Sequence, residues 1–184
     1  SKSGYNATTN LKYNVTPSVK IANNANGVNV SWNTVAGVTG YKIYRSVYSN
    51  GKWSGWTSVA TVKSTETSWT DKSVKSGVKY KYTVKAVNGK NASTYKASSS
   101  LIYLAQPQVA VRALSNGIKV AWVPSTGSTS CKIYRREYNT NTKKWTSWKS
   151  IKTAKSNSKS YVDKTAKKGV KYRYTVKANK KKTA

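Results

Sequence analysis

A ten-residue segment, GVKYKYTVKA at positions 77–86, occurs again as GVKYRYTVKA at positions 169–178. In both copies, apolar residues alternate with basic residues or threonine. The apolar positions of the first copy are Val78, Tyr80, Tyr82, Val84 and Ala86. Because successive side chains of a β-strand point to opposite faces, the segment predicts a strand with one core face and one basic outer face.

The repeat continues along almost the whole chain. At an offset of 90 residues, Pro17 pairs with Pro107 and Trp32 with Trp122, and the sequence KIYR occurs at both 42–45 and 132–135. The offset then becomes 92, because the loop NTNTKK replaces SNGK. Added residues are tolerated at the tip of a hairpin. A tandem unit of this length matches a single β-sandwich domain of about 100 residues.

Each unit is predicted to be β throughout. Short runs rich in Val, Ile, Thr, Tyr and Trp are separated by the turn dipeptide Asn-Gly, which favours two-residue hairpin loops. These dipeptides lie at Asn26-Gly27, Asn50-Gly51, Asn88-Gly89 and Asn116-Gly117. No segment has helical periodicity.

The segments GVNVSWNTVAGVTGYKIYR and TSWTDKSVKSGVKYKYTVKAVNG resemble the fibronectin type III domain as bacterial cell-surface and secreted proteins use it. The resemblance implies an all-β fold of two tandem fibronectin type III-like, immunoglobulin-like β-sandwiches without disulfides, usually a spacer or a binding module. It also assigns a Trp to strand B, an aromatic residue to strand C and a tyrosine corner to strand F. Those positions are Trp32, Tyr41 and Tyr80 in the first repeat and Trp122 and Tyr172 in the second.

The second repeat departs from this pattern at Cys131, which stands where the first has Tyr41. We expect it to act as a small hydrophobic residue in the core. The predicted division of the chain is a strand-like segment at 1–13, a first repeat at 14–105, and a second repeat at 106–184 that lacks its own last strand.

The missing residue types argue against an enzyme. The chain has no His, one Cys and four carboxylates, which leaves no base for a nucleophile and too few ligands for a cysteine metal site. Asp71 and Asp163 occupy matching places, where Asp usually organises a turn through its own side chain. We therefore predict no catalytic residue, no metal and no cofactor. No apolar stretch is long enough to cross a membrane.

The charge balance predicts acidic partners. With 34 Lys and Arg against 4 Asp and Glu, the net charge is +30. Such a field attracts acidic cell-wall or extracellular polymers and nucleic acid alike. We predict an extracellular or cell-surface protein that spaces, adheres or forms filaments. The alternative is a dedicated nucleic-acid-binding protein, which the charge favours and the repeat architecture does not.

The outer face of the sheet formed by strands C and F is the first candidate site. Its cations could neutralise phosphates or sulfates while its tyrosine stacks on a ring. The same pattern also fits a solvated face whose lysines prevent aggregation. The candidate residues are Lys42, Tyr44, Lys79, Lys81 and Lys85, with Lys132, Tyr134, Lys171, Arg173 and Lys177 in the second repeat.

The second candidate is a pair of tryptophans in each repeat. The motifs are WSGW, Trp53 to Trp56, and WTSW, Trp145 to Trp148. A spacing of three on one strand predicts that the two rings lie on opposite sides. We assign the packing role to Trp56 and Trp148, so that Trp53 and Trp145 are the candidates for aromatic contact with a partner.

The third candidate is the segment before the first repeat. At the offset of 90, Tyr5, Leu11 and Tyr13 match Tyr95, Leu101 and Tyr103 of the first repeat's last strand. A strand edge without a partner is a template for a strand from another chain. We therefore expect the N-terminal segment to complete the second sandwich of a neighbouring copy, either within a longer covalent array of which this chain is an excerpt or by head-to-tail strand donation in a filament.

Overall fold

The computed structural model describes residues 15–181. Within that range every regular element is a β-strand, and no helix is long and apolar enough to cross a membrane. The segment that carries Tyr5, Leu11 and Tyr13 lies outside the described residues, so its pairing stays a prediction.

The first repeat forms two antiparallel sheets. One has the order β1-β2-β6, and in the other β3 lies between β5 and β7 while the short strands β4, β8 and β9 extend the edges. The strands are β1 (Val19–Asn24), β2 (Gly27–Trp32), β3 (Gly40–Ser49), β4 (Lys52–Trp53), β5 (Thr57–Lys63), β6 (Ser68–Asp71), β7 (Lys79–Asn88), β8 (Asn91–Ala92) and β9 (Leu101–Ile102).

The second repeat builds the same arrangement. Its sheets have the order β10-β11-β15 and a central β12 flanked by β14 and β16, with β13 pairing the far end of β12. The strands are β10 (Val109–Leu114), β11 (Gly117–Trp122), β12 (Ser130–Asn139), β13 (Lys144–Trp145), β14 (Lys149–Lys155), β15 (Ser160–Asp163) and β16 (Tyr172–Asn179). The predicted all-β fold of two tandem sandwiches is confirmed.

Each Asn-Gly dipeptide lies at a hairpin turn, but among the four only Asn50-Gly51 supplies both central residues, since Gly27 and Gly117 already pair within strands and Asn88 pairs with Asn91. Asn50 and Gly51 both have positive φ, 50° and 77°, in the turn between β3 and β4. Two central residues with φ > 0 give the turn whose twist matches that of the flanking strands. The two additional residues of the second repeat lie in the equivalent turn, between β12 and β13.

The apolar face of β7 lies in the core of the first sandwich. Tyr82 and Val84 are fully buried, and Tyr80 and Ala86 are nearly so. They pack with residues from the opposite sheet, including Val28, Val30 and Trp32. The alternation in GVKYKYTVKA therefore does separate a core face from an outer face.

The second core is smaller and is built around Trp122 and Cys131. The thiol is fully buried, as the sequence predicts, and burial raises its pKa. Tyr41 at the matching place has its ring centroid 5.4 Å from that of Trp32, and its hydroxyl accepts a hydrogen bond of 2.9 Å from the Val35 amide. Cysteine has no ring or long-reaching hydroxyl with which to make either contact.

A tyrosine corner is present in both repeats. The Tyr80 hydroxyl accepts a hydrogen bond of 2.9 Å from the Lys75 amide, and the Tyr172 hydroxyl accepts one of 3.0 Å from the Lys167 amide. In each case the ring fixes the loop that leads into β7 or β16. These contacts confirm the positions that the sequence resemblance assigned.

A buried carboxylate joins the two sheets of the first sandwich. Oδ1 of Asp71 accepts hydrogen bonds from the Ser73 amide and hydroxyl, at 2.9 and 2.7 Å, so the predicted turn is confirmed. Oδ2 accepts bonds from Arg45, at 2.7 Å, and from the Tyr82 hydroxyl, at 2.9 Å. Burial alone raises the pKa of Asp71, but these donors outweigh it and hold the pKa below 3.8.

The second sandwich repeats this cluster. Asp163, which is fully buried, accepts hydrogen bonds from Arg135 at 2.8 Å and from the Tyr174 hydroxyl at 2.9 Å, while Thr165 closes the turn. Its pKa is also lowered, because the hydrogen bonds overcome the effect of burial. Burial of Tyr174 and the adjacent carboxylate raise the pKa of that tyrosine.

Replacement of the strand B tryptophan should unfold one sandwich before the other. Trp32 and Trp122 are 6% and 5% exposed, so either Trp→Ala change removes a large buried ring and should cost roughly 3–5 kcal/mol of unfolding free energy. Denaturant unfolding followed by fluorescence measures this loss. Trp148→Ala, at an exposed position, is the control. A loss below about 1 kcal/mol, the scale of surface substitutions, would contradict the assigned core.

Acid should destabilise both sandwiches through the buried carboxylates. Since their pKa values are lowered on folding, their contribution is complete above the unfolded value of 3.8 and is lost as the pH falls through the folded value. Asp71→Asn leaves Arg45 without its partner and should cost roughly 3–5 kcal/mol near neutral pH. Its unfolding free energy should also vary less as the pH falls into the acid range, as measured by denaturant titration. An unchanged acid profile would contradict this role.

Candidate polyanion-binding faces

The sequence-predicted basic residues of the first repeat do share one face. Lys42 on β3 lies directly opposite Lys85 on β7, and the same register places Tyr44 opposite Thr83 and Lys81 opposite Ser46. Lys79 lies opposite Tyr48 at the far end. Since alternate side chains of adjacent strands point the same way, these residues form one outer face. We call it the first outer face.

Cations and aromatic rings alternate along the first outer face. The Lys81 ammonium lies 4.5 Å from the ring centroid of Trp53 and 5.2 Å from that of Trp56. Lys79 lies 5.1 Å from the Tyr48 ring, which itself packs edge-on against Trp53 at 5.2 Å. Each distance from a lysine ammonium to a ring is within the range of a cation–π interaction.

The row continues toward the other end of the strand through Lys85. Its ammonium lies 5.8 Å from the Tyr44 ring and 5.1 Å from the Tyr95 ring. Tyr95 also packs edge-on against Trp56, at 5.8 Å. Lysine side chains that cover rings in this way bury their stems, and Lys79, Lys81 and Lys85 are all partly buried.

The second repeat builds a matching face in which arginine replaces some of the lysines. Lys132 lies opposite Lys177, Tyr134 opposite Thr175, and Arg136 opposite Arg173, with Lys171 next along the chain before Tyr172. This is the second outer face. Lys171, Arg173 and Lys177 are all exposed, unlike their counterparts in the first repeat.

Arg136 is the residue that reasoning from the sequence missed. Its guanidinium lies 5.3 Å from the Trp145 ring centroid and 4.6 Å from that of Trp148, while Arg173 covers Trp145 at 4.4 Å. A simple signal was present: Lys132, Tyr134 and Arg136 occupy alternate positions of one strand. The matching residue of the first repeat is Ser46, which is why the comparison of repeats did not find it.

The prediction that the two tryptophans of each motif lie on opposite sides is wrong. Trp53 and Trp56 both contact Lys81, and Trp145 and Trp148 both contact Arg136. The alternation rule fails because no single strand joins them. β4 ends at Trp53, β5 begins at Thr57, and the Ser54 amide donates to the Val47 carbonyl between them. All four rings therefore belong to the outer faces.

The two faces differ most in the exposure of their second tryptophan. Trp56 is half-buried because Tyr95 packs against it, whereas Trp148 is 42% exposed. The second repeat also carries more charge. From position 107 onward there are twenty Lys and Arg against two carboxylates, compared with twelve against two at 17–106.

The carboxylates of the described chain do little to neutralise these faces. The ion pairs within residues 15–181 are Arg45 with Asp71 and Arg135 with Asp163, and both lie inside the sandwiches. The lysines and arginines of the outer faces therefore contact aromatic rings and solvent, and not carboxylates. Across the same residues, no three His, Cys, Asp or Glu side chains come together as a metal site would require.

Comparisons with known proteins give structural likenesses only. No protein-family model matches the chain, and no curated protein matches it. Among solved structures, it is similar to an Fn3-like protein from Clostridium thermocellum, with 29% identity over 49% of this chain and 91% of the other and a TM-score of 0.40.

Two vertebrate structures match more of the chain at lower identity. A two-domain fibronectin type III segment of chicken tenascin is 14% identical over 91% of this chain and 93% of the other, with a TM-score of 0.44. The FN1–FN3 domains of chicken CNTN1 are 18% identical over 90% and 60%, with a TM-score of 0.41. These neighbours are fibronectin type III domain proteins. From its own strand order, its strand B tryptophans and its tyrosine corners, the chain is a pair of tandem fibronectin type III-like β-sandwiches.

Proposed function

We propose that the chain is a non-enzymatic extracellular or cell-surface segment that spaces its neighbours and adheres to acidic polymers through its outer faces. The observation that carries the proposal is the alternating row of cations and rings on each face. A repeating polyanion presents charges at regular intervals, and a row of this kind offers several cations to one polymer at once. The electrostatic contribution of such contacts grows with the number of charges neutralised.

The second outer face is the stronger candidate. Its three exposed cations, Lys171, Arg173 and Lys177, have more access to a polymer than the half-buried lysines at the same positions of the first repeat. Arginine also forms paired hydrogen bonds with sulfate, phosphate or carboxylate groups. The exposed Trp148 ring beside them could stack on a sugar or a base.

The aromatic rings of the second outer face position its cations as well as flanking them. The Arg136 guanidinium contacts two tryptophan rings, which limits the directions in which it can point. A cation that is already ordered loses less conformational entropy when it binds. This favours a binding face over a face that serves solubility alone, since solubility requires charge but no ordering of it.

Replacement of Lys171, Arg173 and Lys177 by Gln should weaken binding to heparin, used as a sulfated polysaccharide probe. The slope of log affinity against log salt should become shallower by up to about one for each cation that no longer neutralises a sulfate. Fluorescence titration at several salt concentrations measures both quantities. The matched control replaces Lys79, Lys81 and Lys85 by Gln, which removes the same formal charge from the half-buried face.

We expect the second-repeat variant to lose more affinity than the control. Equal losses would mean that net charge alone attracts the polymer, and unchanged affinity would leave the face without a binding role. A single-stranded DNA oligomer is titrated in parallel. If it binds more tightly than heparin at equal salt, and with dependence on base composition, the nucleic-acid alternative replaces the proposed one.

A further inference from the structure

The outer edge of β7 in the first sandwich is covered by the segment that follows β8. The Tyr82 carbonyl accepts a hydrogen bond of 2.8 Å from the Ser98 amide, and the Tyr82 amide donates to the Ser98 hydroxyl at 3.0 Å. Ala86 makes the same pair of bonds with Ser93, at 2.8 and 3.1 Å. Two serines, five residues apart, therefore use both backbone and side chain to satisfy the hydrogen-bonding groups of Tyr82 and Ala86 at this edge.

The same segment also covers the first outer face. Tyr95 packs on Trp56, and the Thr83 hydroxyl donates to the Lys96 carbonyl at 3.0 Å. Beyond it, Leu101 and Ile102 of β9 pair with Tyr80 and Lys79. We call residues 93–103 the covering segment, which ends at the buried Tyr103.

The matching edge of β16 has no such cover among residues 15–181. There β16 pairs with β12 on one side and with no strand on the other. A groove of about 450 Å³ lies between the C-terminal part of this edge and the first sandwich, where residues 23–25 and the connecting residues 104–107 line it. Its walls on the second sandwich are Tyr134, Trp148, Thr175, Val176, Lys177 and Ala178.

The chain contains a second sequence that fits this groove. At an offset of 90, Ser3, Tyr5, Thr8 and Leu11 repeat the hydroxyl, ring, hydroxyl and apolar residue of the covering segment, and Tyr13 repeats Tyr103. Ser93 and Ser98, whose hydroxyls accept hydrogen bonds from the strand amides, are thus matched by the hydroxyl residues Ser3 and Thr8. The two segments agree in the spacing of these residues and not merely in composition. The spacing matters because a shift of a strand by one residue would move every side chain to the opposite face of the sheet.

We propose that residues 3–13 of a second copy of this chain add to the open edge of β16 as the last strand of the second sandwich. The Ala178 amide would donate to Ser3, the Tyr174 amide to Thr8, and Tyr5 would pack on Trp148. This assignment rests on the edge and the register, and it does not depend on the proposed polymer binding.

Residues 3–13 cannot reach the open edge of β16 within their own copy, because the two lie at opposite ends of the chain's two sandwiches. Val15 is located with Val35 and Asn88 at one end of the first sandwich, and Tyr13 stands only two residues before it. The opposite end, at Gly77, is where the second sandwich begins. A donated Tyr13 would take the position that Tyr103 has in the first sandwich. In the second sandwich that position lies beside Gly169, at the end remote from the junction. Two residues span at most about 7 Å, far less than the roughly 30 Å of a ten-residue strand.

The junction within the chain shows how two copies would meet. Gly77 and Gly127 touch so closely that a Cβ on Gly127 would overlap the Gly77 Cα, and both have positive φ, 86° and 80°. Their counterparts by repeat alignment are Gly169 and Gly37, with φ of 78° and 71°, and neither has a neighbour within 4 Å of its Cβ direction.

A donated strand would bring Gly169 of one copy to Gly37 of the next, as Gly77 meets Gly127 inside the chain. The serine contacts of the internal junction, Ser76 with Thr126 and Ser125 with Ala105, are not repeated, because Lys168 and Val35 stand in place of the two serines. Each copy donates at one end and accepts at the other, so the contact does not close and the assembly is a filament.

Sedimentation velocity of the 184-residue chain tests the proposal, at a salt concentration that screens its net charge of +30. The sedimentation coefficient should rise with protein concentration. A variant without residues 1–13 should lose this rise while it still binds a labelled peptide of residues 1–15. A peptide of the same composition in scrambled order is the control for charge and hydrophobicity.

A second variant closes the edge within the chain. Appending the sequence of residues 93–103 directly after Ala184 places its first serine at the spacing from Ala178 that separates Ser93 from Ala86. This variant should remain monomeric and lose peptide binding while its unfolding stays cooperative. The proposal is overturned if the unmodified chain is monomeric at all concentrations, if the closed variant associates equally, or if the scrambled peptide binds as well as the native one.

Discussion

A β-strand has hydrogen-bonding groups along both of its edges, and each edge has to be paired, covered or left to solvent. In both sandwiches the long strand that carries the basic outer face lies beside the central strand, so one of its edges is paired. The other edge distinguishes the two repeats. In the first, Ser93 and Ser98 satisfy it and Tyr95 covers Trp56. In the second, residues 15–181 supply no equivalent, and both Trp148 and the cations of the strand are more exposed.

The inner side of the same strand supports this arrangement through a buried charge. Tyr82 and Tyr174 lie on the inner faces of β7 and β16, and each donates its hydroxyl to the Asp oxygen that also accepts from an Arg of the central strand. Breaking a buried pair is costly, so the position of each strand in its sandwich is strongly determined. The two aspartates form ion pairs inside the sandwiches, and the cations of the outer faces contact aromatic rings and solvent.

The sequence predicted the fold well, because the ten-residue repeat has an unambiguous period of two and the turn dipeptides recur at matching places. It also predicted the core role of Cys131 and the tyrosine corners. It failed for Trp53 and Trp56, since β4 ends at Trp53 and β5 begins only at Thr57, so the alternation of a continuous strand does not apply. It missed Arg136, because repeat comparison finds only what both copies share, and it could not show that the Asp turn residues also bind Arg and Tyr from distant strands. The roles of the outer faces and of the segment at 1–13 remain predictions.

Amide hydrogen exchange along β7 and β16 tests most directly whether one fold is present twice with different edges. In dilute solution, where copies are separate, the amides of Tyr174 and Ala178 face the open edge, whereas those of Thr175 and Lys177 face β12. We predict that the Tyr82 and Ala86 amides of β7, which donate to the two serines, exchange slowly, whereas the matching Tyr174 and Ala178 amides of β16 exchange fast. Equal, uninterrupted protection of both strands in dilute solution would contradict this difference between the edges.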